Sequence, residues 1–166
     1  MHTRAVHIRK LGATIAVRPL ANGDTMTVAA VFGRLSDASR AARFHGAKPR
    51  LSERDLAQLA VVGADSHVLV AYVRGDPLPA ALARIAREPD DRRRAEIAFE
   101  VADRYQGLGI ATALIRLLLE DARAAGIVRV EALVEPSNRA ALGLLRRVFD
   151  RASLRFEDGA ILVSSA

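Results

Sequence analysis

The residues that point most directly to chemistry lie in a turn, residues 106–111, with the sequence Gln-Gly-Leu-Gly-Ile-Ala. Gly107 and Gly109 have no Cβ, so a ligand can approach the backbone there. The turn opens a helical pattern, and the first N–H groups of a helix have no partner within it. Because these N–H groups and the helix macrodipole both favour an anion, the turn is predicted to bind phosphate.

Two familiar nucleotide-binding motifs fit this turn poorly. A P-loop carries Lys and then Ser or Thr after its last glycine, whereas Ile110 and Ala111 follow Gly109 here. A Rossmann fingerprint needs a third small residue in register and an acidic residue about 20 positions later, within a parallel βαβ unit.

The turn is flanked by a predicted strand, residues 95–101, and a predicted helix, residues 110–125. Apolar residues alternate with Glu96 and Glu100 along the strand, so both acidic groups are expected on its polar face. The helix repeats apolar residues with a period near 3.6. Its predicted buried stripe consists of Ile110, Leu114, Leu117, Leu118, Ala122 and Ala125.

Several other chemistries have no support in the sequence. The absence of cysteine excludes disulfides, thiolate metal sites and a cysteine nucleophile. The four histidines lack metal-ligand spacing, and His2 and His7 are expected in a mobile N-terminal region. No Gly-x-Ser-x-Gly motif supports a serine hydrolase. We therefore predict no metal site.

The composition is that of a folded α/β protein. The 166 residues are 51% hydrophobic and 4% aromatic, and we expect one domain over residues 1–166. No run of 18 apolar residues predicts a membrane span, no secretory signal begins the chain, and a cytoplasmic protein is expected. The net charge of +6 is spread along the chain without interleaved aromatic residues, so we predict no nucleic-acid partner. A positive field would help to recruit an anionic cofactor.

Turn signals and apolar periodicity predict eight strands and five helices. Strands are predicted at residues 6–8, 14–17, 67–73, 80–87, 95–101, 128–134, 153–156 and 160–163. Helices are predicted at residues 25–35, 36–44, 53–60, 110–125 and 139–148. Asp24, Ser36 and Ser52 are the expected N-caps, the last with Asp55 in a capping box. Antiparallel hairpins together with a crossover helix indicate an α+β (mixed α/β) fold.

With these elements placed, the chain resembles the GNAT superfamily of acyltransferases. Residues 106–111 match its Gln/Arg-x-x-Gly-x-Gly/Ala motif. Residues 17–20 (Val-Arg-Pro-Leu) resemble its opening strand, and residues 135–144 (Glu-x-x-Asn-x-x-Ala-x-x-Leu) its second motif. Within the superfamily, residues 95–107 and 36–44 resemble the bacterial Pat-type protein lysine acetyltransferase domain.

This resemblance implies a central mixed, mostly antiparallel, twisted sheet flanked by helices, and an acetyl-CoA-dependent N-acetyltransferase. It implies that Glu96 is the general base. The backbone of the strand end would pair with pantetheine, and the turn would hold the pyrophosphate. The implied cofactor-binding residues are Phe99, Glu100, Val101, Gln106, Gly107, Leu108, Gly109, Ile110, Ala111, Thr112, Asn138 and Arg147.

One position departs from the superfamily pattern. Many GNAT enzymes carry a tyrosine there as general acid for the leaving thiolate, followed by Gly-Phe, whereas this chain has Leu145 and then Phe149-Asp150. Pat-type domains also tend to lack that tyrosine. Leucine cannot donate a proton, so the proton must come from water, from the departing amine proton or from another side chain.

Three functions are compatible with these residues. The acceptor is either a protein lysine or a small-molecule amine such as an antibiotic, a polyamine or an amino acid; alternatively, the chain is an inert acyl-CoA-binding module. Glu96 argues against the last of these. Helices at residues 25–60 are expected to form the acceptor wall, and either a monomer or a homodimer is compatible with the sequence.

Overall fold

The structure is a computed structural model that describes residues 2–149 and 151–165. The strands are β1 (Arg4–Ile8), β2 (Ala13–Pro19), β3 (Ser66–Val73), β4 (Ala81–Arg87), β5 (Arg94–Val101), β6 (Arg129–Val134), β7 (Ser153–Glu157) and β8 (Ala160–Ser164). The α-helices are α1 (Thr25–Phe32), α2 (Asp37–Phe44), α3 (Glu53–Leu59), α4 (Ile110–Ala124) and α5 (Arg139–Val148). A short 3-10 helix, Asp103–Tyr105, precedes the glycine turn.

Side-chain caps determine where the first three helices begin. Asp24, Ser36 and Ser52 each accept a hydrogen bond from a backbone N–H in the first turn of α1, α2 and α3, respectively. Asp55 completes the capping box of α3 by accepting from the backbone N–H of Ser52. These contacts satisfy N–H groups that lack a helical partner, and they confirm the predicted caps.

The strands form one eight-stranded sheet in the order β1-β2-β3-β4-β5-β6-β8-β7. β5 and β6 are parallel and are joined by α4, whereas the other six neighbouring pairs are antiparallel. The sheet is therefore mixed and mostly antiparallel, with helices flanking it, as predicted.

Two hydrophobic cores lie on opposite faces of the sheet because alternate strand residues point to opposite sides. One core joins the sheet to α4 and α5, and it includes Leu69, Ile97 and Leu114. The other joins the sheet to α1 and α3, and it includes Val70 and Leu82. The sheet is thus covered on both sides, and α2 contacts β5 beside the second core.

The two parallel strands separate soon after they begin. Only three residue pairs connect them, and the last is Glu96 with Glu131, although β5 continues to Val101 and β6 to Val134. Beyond this pair a cleft opens between the strands.

No helix within residues 2–149 and 151–165 is long and apolar enough to cross a membrane.

Three details differ from the sequence-based expectations. The buried side of α4 includes Ile115 and Leu119, which fall outside the predicted stripe, whereas Ala125 is an exposed C-cap. α1 ends at Phe32 rather than at residue 35. His7 lies within β1, which pairs with β2, rather than in a mobile segment.

Candidate active site

A cavity of about 750 Å³ lies where β5 and β6 diverge, between α2, the glycine turn and α5. Almost all the predicted site residues line this cavity. They are Glu96, Phe99, Glu100, Val101, Gln106, Gly107, Gly109, Ile110, Ala111, Thr112, Asn138 and Arg147. Leu108 does not line it; its half-buried side chain packs against the hydrophobic core instead.

Inside the cavity, β5 has one paired edge and one open edge. β4 pairs with β5 as far as Val101, whereas β6 pairs with it only as far as Glu96. Residues 97–101 therefore present their other backbone edge to the cavity. An extended ligand that carries amide groups can add to such an edge like a further strand.

The glycine turn has the backbone geometry of an anion site. Gly107 and Gly109 have φ angles of 72° and 98°, a region that side chains disfavour. A Cβ on Gly109 would also lie 3.3 Å from Cγ2 of Ile8, so the turn packs directly on β1. Within α4 the first N–H to find an acceptor is that of Ala113, which donates to the carbonyl of Gly109 at 3.1 Å. The N–H groups before it are free of helical partners and can hold phosphate oxygens.

Glu96 is the exposed carboxylate of the cavity. It makes no hydrogen bond or ion pair within the described part of the chain. Its strand partner Glu131, in contrast, is buried and accepts hydrogen bonds from Arg94 at 2.5 Å and Ser164 at 3.0 Å. Glu96 is therefore an acidic group that solvent and a ligand can both reach.

Glu100 lies on the same face of β5 as Glu96, as the alternation predicts, but it is buried whereas Glu96 is exposed. The side chain of Glu100 is only 5% exposed, because α2 covers it and Arg43 donates a hydrogen bond from Nε to its Oε2 at 2.7 Å. Arg84 of β4 faces the same side of the sheet and donates to the carbonyl of Leu59. Burial lowers the pKa of Arg84, and the nearby negative charge of Glu100 opposes that effect. Glu100 thus belongs to a buried charge cluster.

Two predicted cofactor residues use their side chains within the protein. Gln106 donates from Nε2 to the carbonyl of Val101 at 3.1 Å and to Oγ of Ser39 at 3.0 Å. Asn138 accepts from the backbone N–H of Ala141 at 3.0 Å and thereby caps α5. Oε1 of Gln106 and Nδ2 of Asn138 make no hydrogen bond within the described residues, so both are left for a ligand.

The segment before the glycine turn is held by a partly buried polar cluster that sequence analysis missed. Oδ2 of Asp76 accepts hydrogen bonds from Nη2 of Arg34 at 2.6 Å and from the hydroxyl of Tyr105 at 2.7 Å. These donors hold the pKa of Asp76 well below its ordinary value. From the sequence, Asp76 is predicted only to be a turn residue, because it lies between Gly75 and Pro77. The cluster fixes Tyr105, which lines the cavity next to the turn.

α2 spans the cleft between the two diverging strands. Arg43 binds Glu100 of β5, and Nδ1 of His45 lies 3.4 Å from Oε1 of Glu135, the residue after β6. The segment from Leu35 to His45 lines the cavity. Of the predicted wall at residues 25–60, this segment lines the cavity, whereas α3 packs against α1.

The position where many relatives of this fold carry a tyrosine lies in the core. Leu145 is fully buried and Phe149 is 3% exposed, whereas Asp150 lies outside the described residues. Leu145 therefore packs the protein and supplies no proton. Within residues 2–149 and 151–165, no three His, Cys, Asp or Glu side chains come together as a metal site.

Comparison with known proteins identifies a family that this chain matches. Residues 34–150 match the Acetyltransferase (GNAT) family. Acetyltransferase Pat of Mycolicibacterium smegmatis is 39% identical over 69 residues, which make up 42% of this chain and 20% of that protein. Acetyltransferase PA5475 of Pseudomonas aeruginosa is 32% identical over 132 residues, which are 78% of this chain and 70% of that protein.

A solved structure agrees with both the fold and the subfamily. The GNAT domain of S. lividans PAT has a TM-score of 0.85 and 29% identity, and the match covers 98% of this chain and 95% of that one. The predicted Pat-type resemblance is thereby confirmed, although the chain spans only a fifth of the M. smegmatis Pat protein. The match to the family covers more than two thirds of the sequence, and this chain belongs to the GNAT family of acetyltransferases.

Proposed function

We propose that this protein transfers the acetyl group of acetyl-CoA to a primary amine, and that the acceptor is the ε-amine of a lysine in another protein. The observation that carries the proposal is the cavity in which an open strand edge meets a glycine turn at a helix N-terminus. An acyl-CoA has matching parts, because amide groups in its pantetheine arm suit the edge and its pyrophosphate suits the turn.

The chain's own residues would share the binding of this substrate. Acetyl-CoA supplies a thioester whose carbonyl carbon accepts a nucleophile and whose sulfur departs as a thiolate. The backbone of residues 99–101 would orient the pantetheine arm, and a backbone N–H there would polarise the carbonyl. The backbone of residues 107–112 would hold the pyrophosphate. Asn138 and Arg147 would add contacts from α5, since both line the cavity.

Glu96 is the proposed general base. A lysine with the ordinary pKa of about 10.4 is neutral in only about one molecule in 2,500 at pH 7, so a base near the amine is useful. Glu96 is exposed and unpaired within the described residues, whereas Glu100 is occupied by Arg43. Glu96 accepts the amine proton as the C–N bond forms, and the C–S bond then breaks. Because Leu145 cannot protonate the leaving thiolate, its proton comes from water, from the departing amine proton or from another side chain.

Two observations favour a protein acceptor over a small amine. A closed site for a small cationic amine needs several unpaired carboxylates, but the acidic residues that line this cavity are Glu96 and the neutralised Glu100. An exposed base suits a lysine presented on a large surface. The likeness to proteins named Pat supports the same choice.

The test is acetyl transfer from labelled acetyl-CoA to a panel of acceptors. Lysine-containing peptides and folded proteins would be compared with polyamines, aminoglycosides and free amino acids. We expect label on lysine side chains. Label confined to small amines would replace the proposed acceptor, whereas tight acetyl-CoA binding without label on any acceptor would indicate an inert binding module.

A further inference from the structure

A lysine outside every predicted motif lies beside the glycine turn. Lys10, in the connection between β1 and β2, is exposed, and its Nζ lies 3.4 Å from the carbonyl oxygen of Gly107. It lines the same cavity as the turn. Ile8, two residues earlier, packs so closely on Gly109 that a Cβ there would lie 3.3 Å away. This contact holds the hairpin, and with it Lys10, against the turn.

The basic side chains that line the cavity differ in their partners. Arg43 is neutralised by a buried carboxylate on β5, and His45 faces the carboxylate of Glu135. Lys10 and Arg147 line the cavity without an acidic partner within residues 2–149 and 151–165. Two positive charges, one beside the glycine turn and one on α5, are therefore available to an anionic ligand.

We infer that Lys10 pairs with the pyrophosphate of acetyl-CoA, an inference that rests on the proposed cofactor site. Backbone N–H groups of the turn orient phosphate oxygens but carry no net charge. A lysine ammonium supplies a full charge and three donors at the same place. Among the anionic groups of the cofactor, the pyrophosphate is expected nearest to Lys10, because Nζ already contacts the turn that would hold it.

Binding measurements with two ligands test this assignment. The dissociation constants of CoA and 3′-dephospho-CoA would be measured by calorimetry for the wild type and for Lys10→Met, which keeps most of the alkyl stem. Because both ligands contain the pyrophosphate, we expect the substitution to weaken both by the same factor, about tenfold for an exposed charge-assisted contact. The loss should shrink at high salt, where exposed charges are screened.

Lys48 provides the matched control, because it is the only other lysine of the chain. It pairs with Asp55 at 2.9 Å and does not line the cavity. Lys48→Met removes the same formal charge from the protein, so unchanged affinities would show that net charge alone does not matter. Lys10→Arg should restore most of the affinity.

The outcomes distinguish a failure of the Lys10 assignment from a failure of the proposed acetyl-CoA site. If the wild type binds neither ligand, the proposed acetyl-CoA site is wrong. If the wild type binds both and Lys10→Met binds equally well, or no worse than Lys48→Met, Lys10 has no role in binding. A loss seen with CoA but absent with 3′-dephospho-CoA would place Lys10 on the 3′-phosphate and overturn its assignment to the pyrophosphate.

Discussion

The two halves of the cavity are built in different ways. The half proposed to bind cofactor comes mainly from one continuous stretch, β5, the glycine turn and the start of α4, which offers backbone groups. Lys10, Asn138 and Arg147 add side chains from other parts of the chain. The half proposed to face the acceptor is formed by α2, which reaches the sheet through side-chain contacts between residues far apart in sequence, Arg43 with Glu100 and His45 with Glu135. Backbone geometry determines the first half, and two side-chain contacts between distant residues determine the second.

The burial of the two helices shows the same difference. α4 buries a full apolar side against the sheet, including Leu114 and Leu118, whereas no side chain of α2 is buried. Apolar burial stabilises a helix over its whole length, but ion pairs hold it at single points. Substitutions in the two halves should therefore have separable effects, with cofactor affinity changing in one and acceptor recognition in the other.

The largest effect is expected in the cofactor half, from Gly109→Glu. Bulk and negative charge would face the proposed pyrophosphate, so acetyl-CoA binding should become undetectable by calorimetry. The variant should also be less stable, because residue 109 has a φ of 98° and a Cβ would meet Ile8 at 3.3 Å. A left-handed residue alone costs about 1–2 kcal/mol.

Gly143→Glu is the control for Gly109→Glu. Gly143 is exposed on α5, does not line the cavity and has no atom within 4 Å of an added Cβ. It receives the same side chain, and wild-type affinity is expected. A folded Gly109→Glu protein that binds acetyl-CoA as tightly as this control would remove the turn from the cofactor site.

In the acceptor half, Arg43→Met should have the next largest effect. It leaves Glu100 buried without its partner, and breaking a buried ion pair costs about 3–5 kcal/mol. Because α2 loses its contact with β5, KM for the acceptor should rise while acetyl-CoA affinity stays near that of the wild type. Adding Glu100→Gln removes the unpaired charge and should recover much of the stability. Equal losses of cofactor and acceptor binding would show that the two halves are not separable.

The smallest effect concerns the cluster that positions Tyr105. The pKa of Asp76 is held below its ordinary value of 3.8 by hydrogen bonds from Arg34 and Tyr105. Its contribution to stability is therefore present above about pH 4, where the carboxylate is charged in both states, and is lost as the pH falls further. Chemical denaturation between pH 6 and pH 3 should show a smaller acid-dependent loss for Asp76→Asn than for the wild type. Identical slopes would assign the acid sensitivity to other carboxylates.

The elements of the proposed cofactor half were predictable from sequence because their signals are local. Glycine spacing, the alternation of β5 and the period of α4 all lie within residues 95–125, and each reflects backbone geometry. The pairing of Arg43 with Glu100 joins residues 57 positions apart, so no local pattern marks it. The alternation of the strand places Glu96 and Glu100 on the same face and does not distinguish them. Glu100 is buried because α2 covers it, whereas Glu96 stays exposed.

The contacts of Lys10 and Asp76 could not be predicted from local sequence either. Each lies in a connection between strands, where local sequence predicts a turn and nothing about its partner. Their contacts with Gly107 and Tyr105 follow from the order of strands in the sheet. A sequence pattern predicts the elements of such a site more readily than the contacts between them.

The pH dependence of turnover in Glu96→Gln tests most directly whether this site transfers an acetyl group by general-base catalysis. Glutamine keeps the shape of the side chain but cannot accept a proton, and Glu120→Gln on the exposed side of α4 is the control. Acetyl-CoA affinity should stay near that of the wild type. At pH 7 turnover should fall by about 10²–10⁴-fold, and the loss should shrink as the pH rises because more of the amine is already neutral. A Glu96→Gln enzyme that matches the wild type at every pH would contradict the assignment of Glu96 as the base.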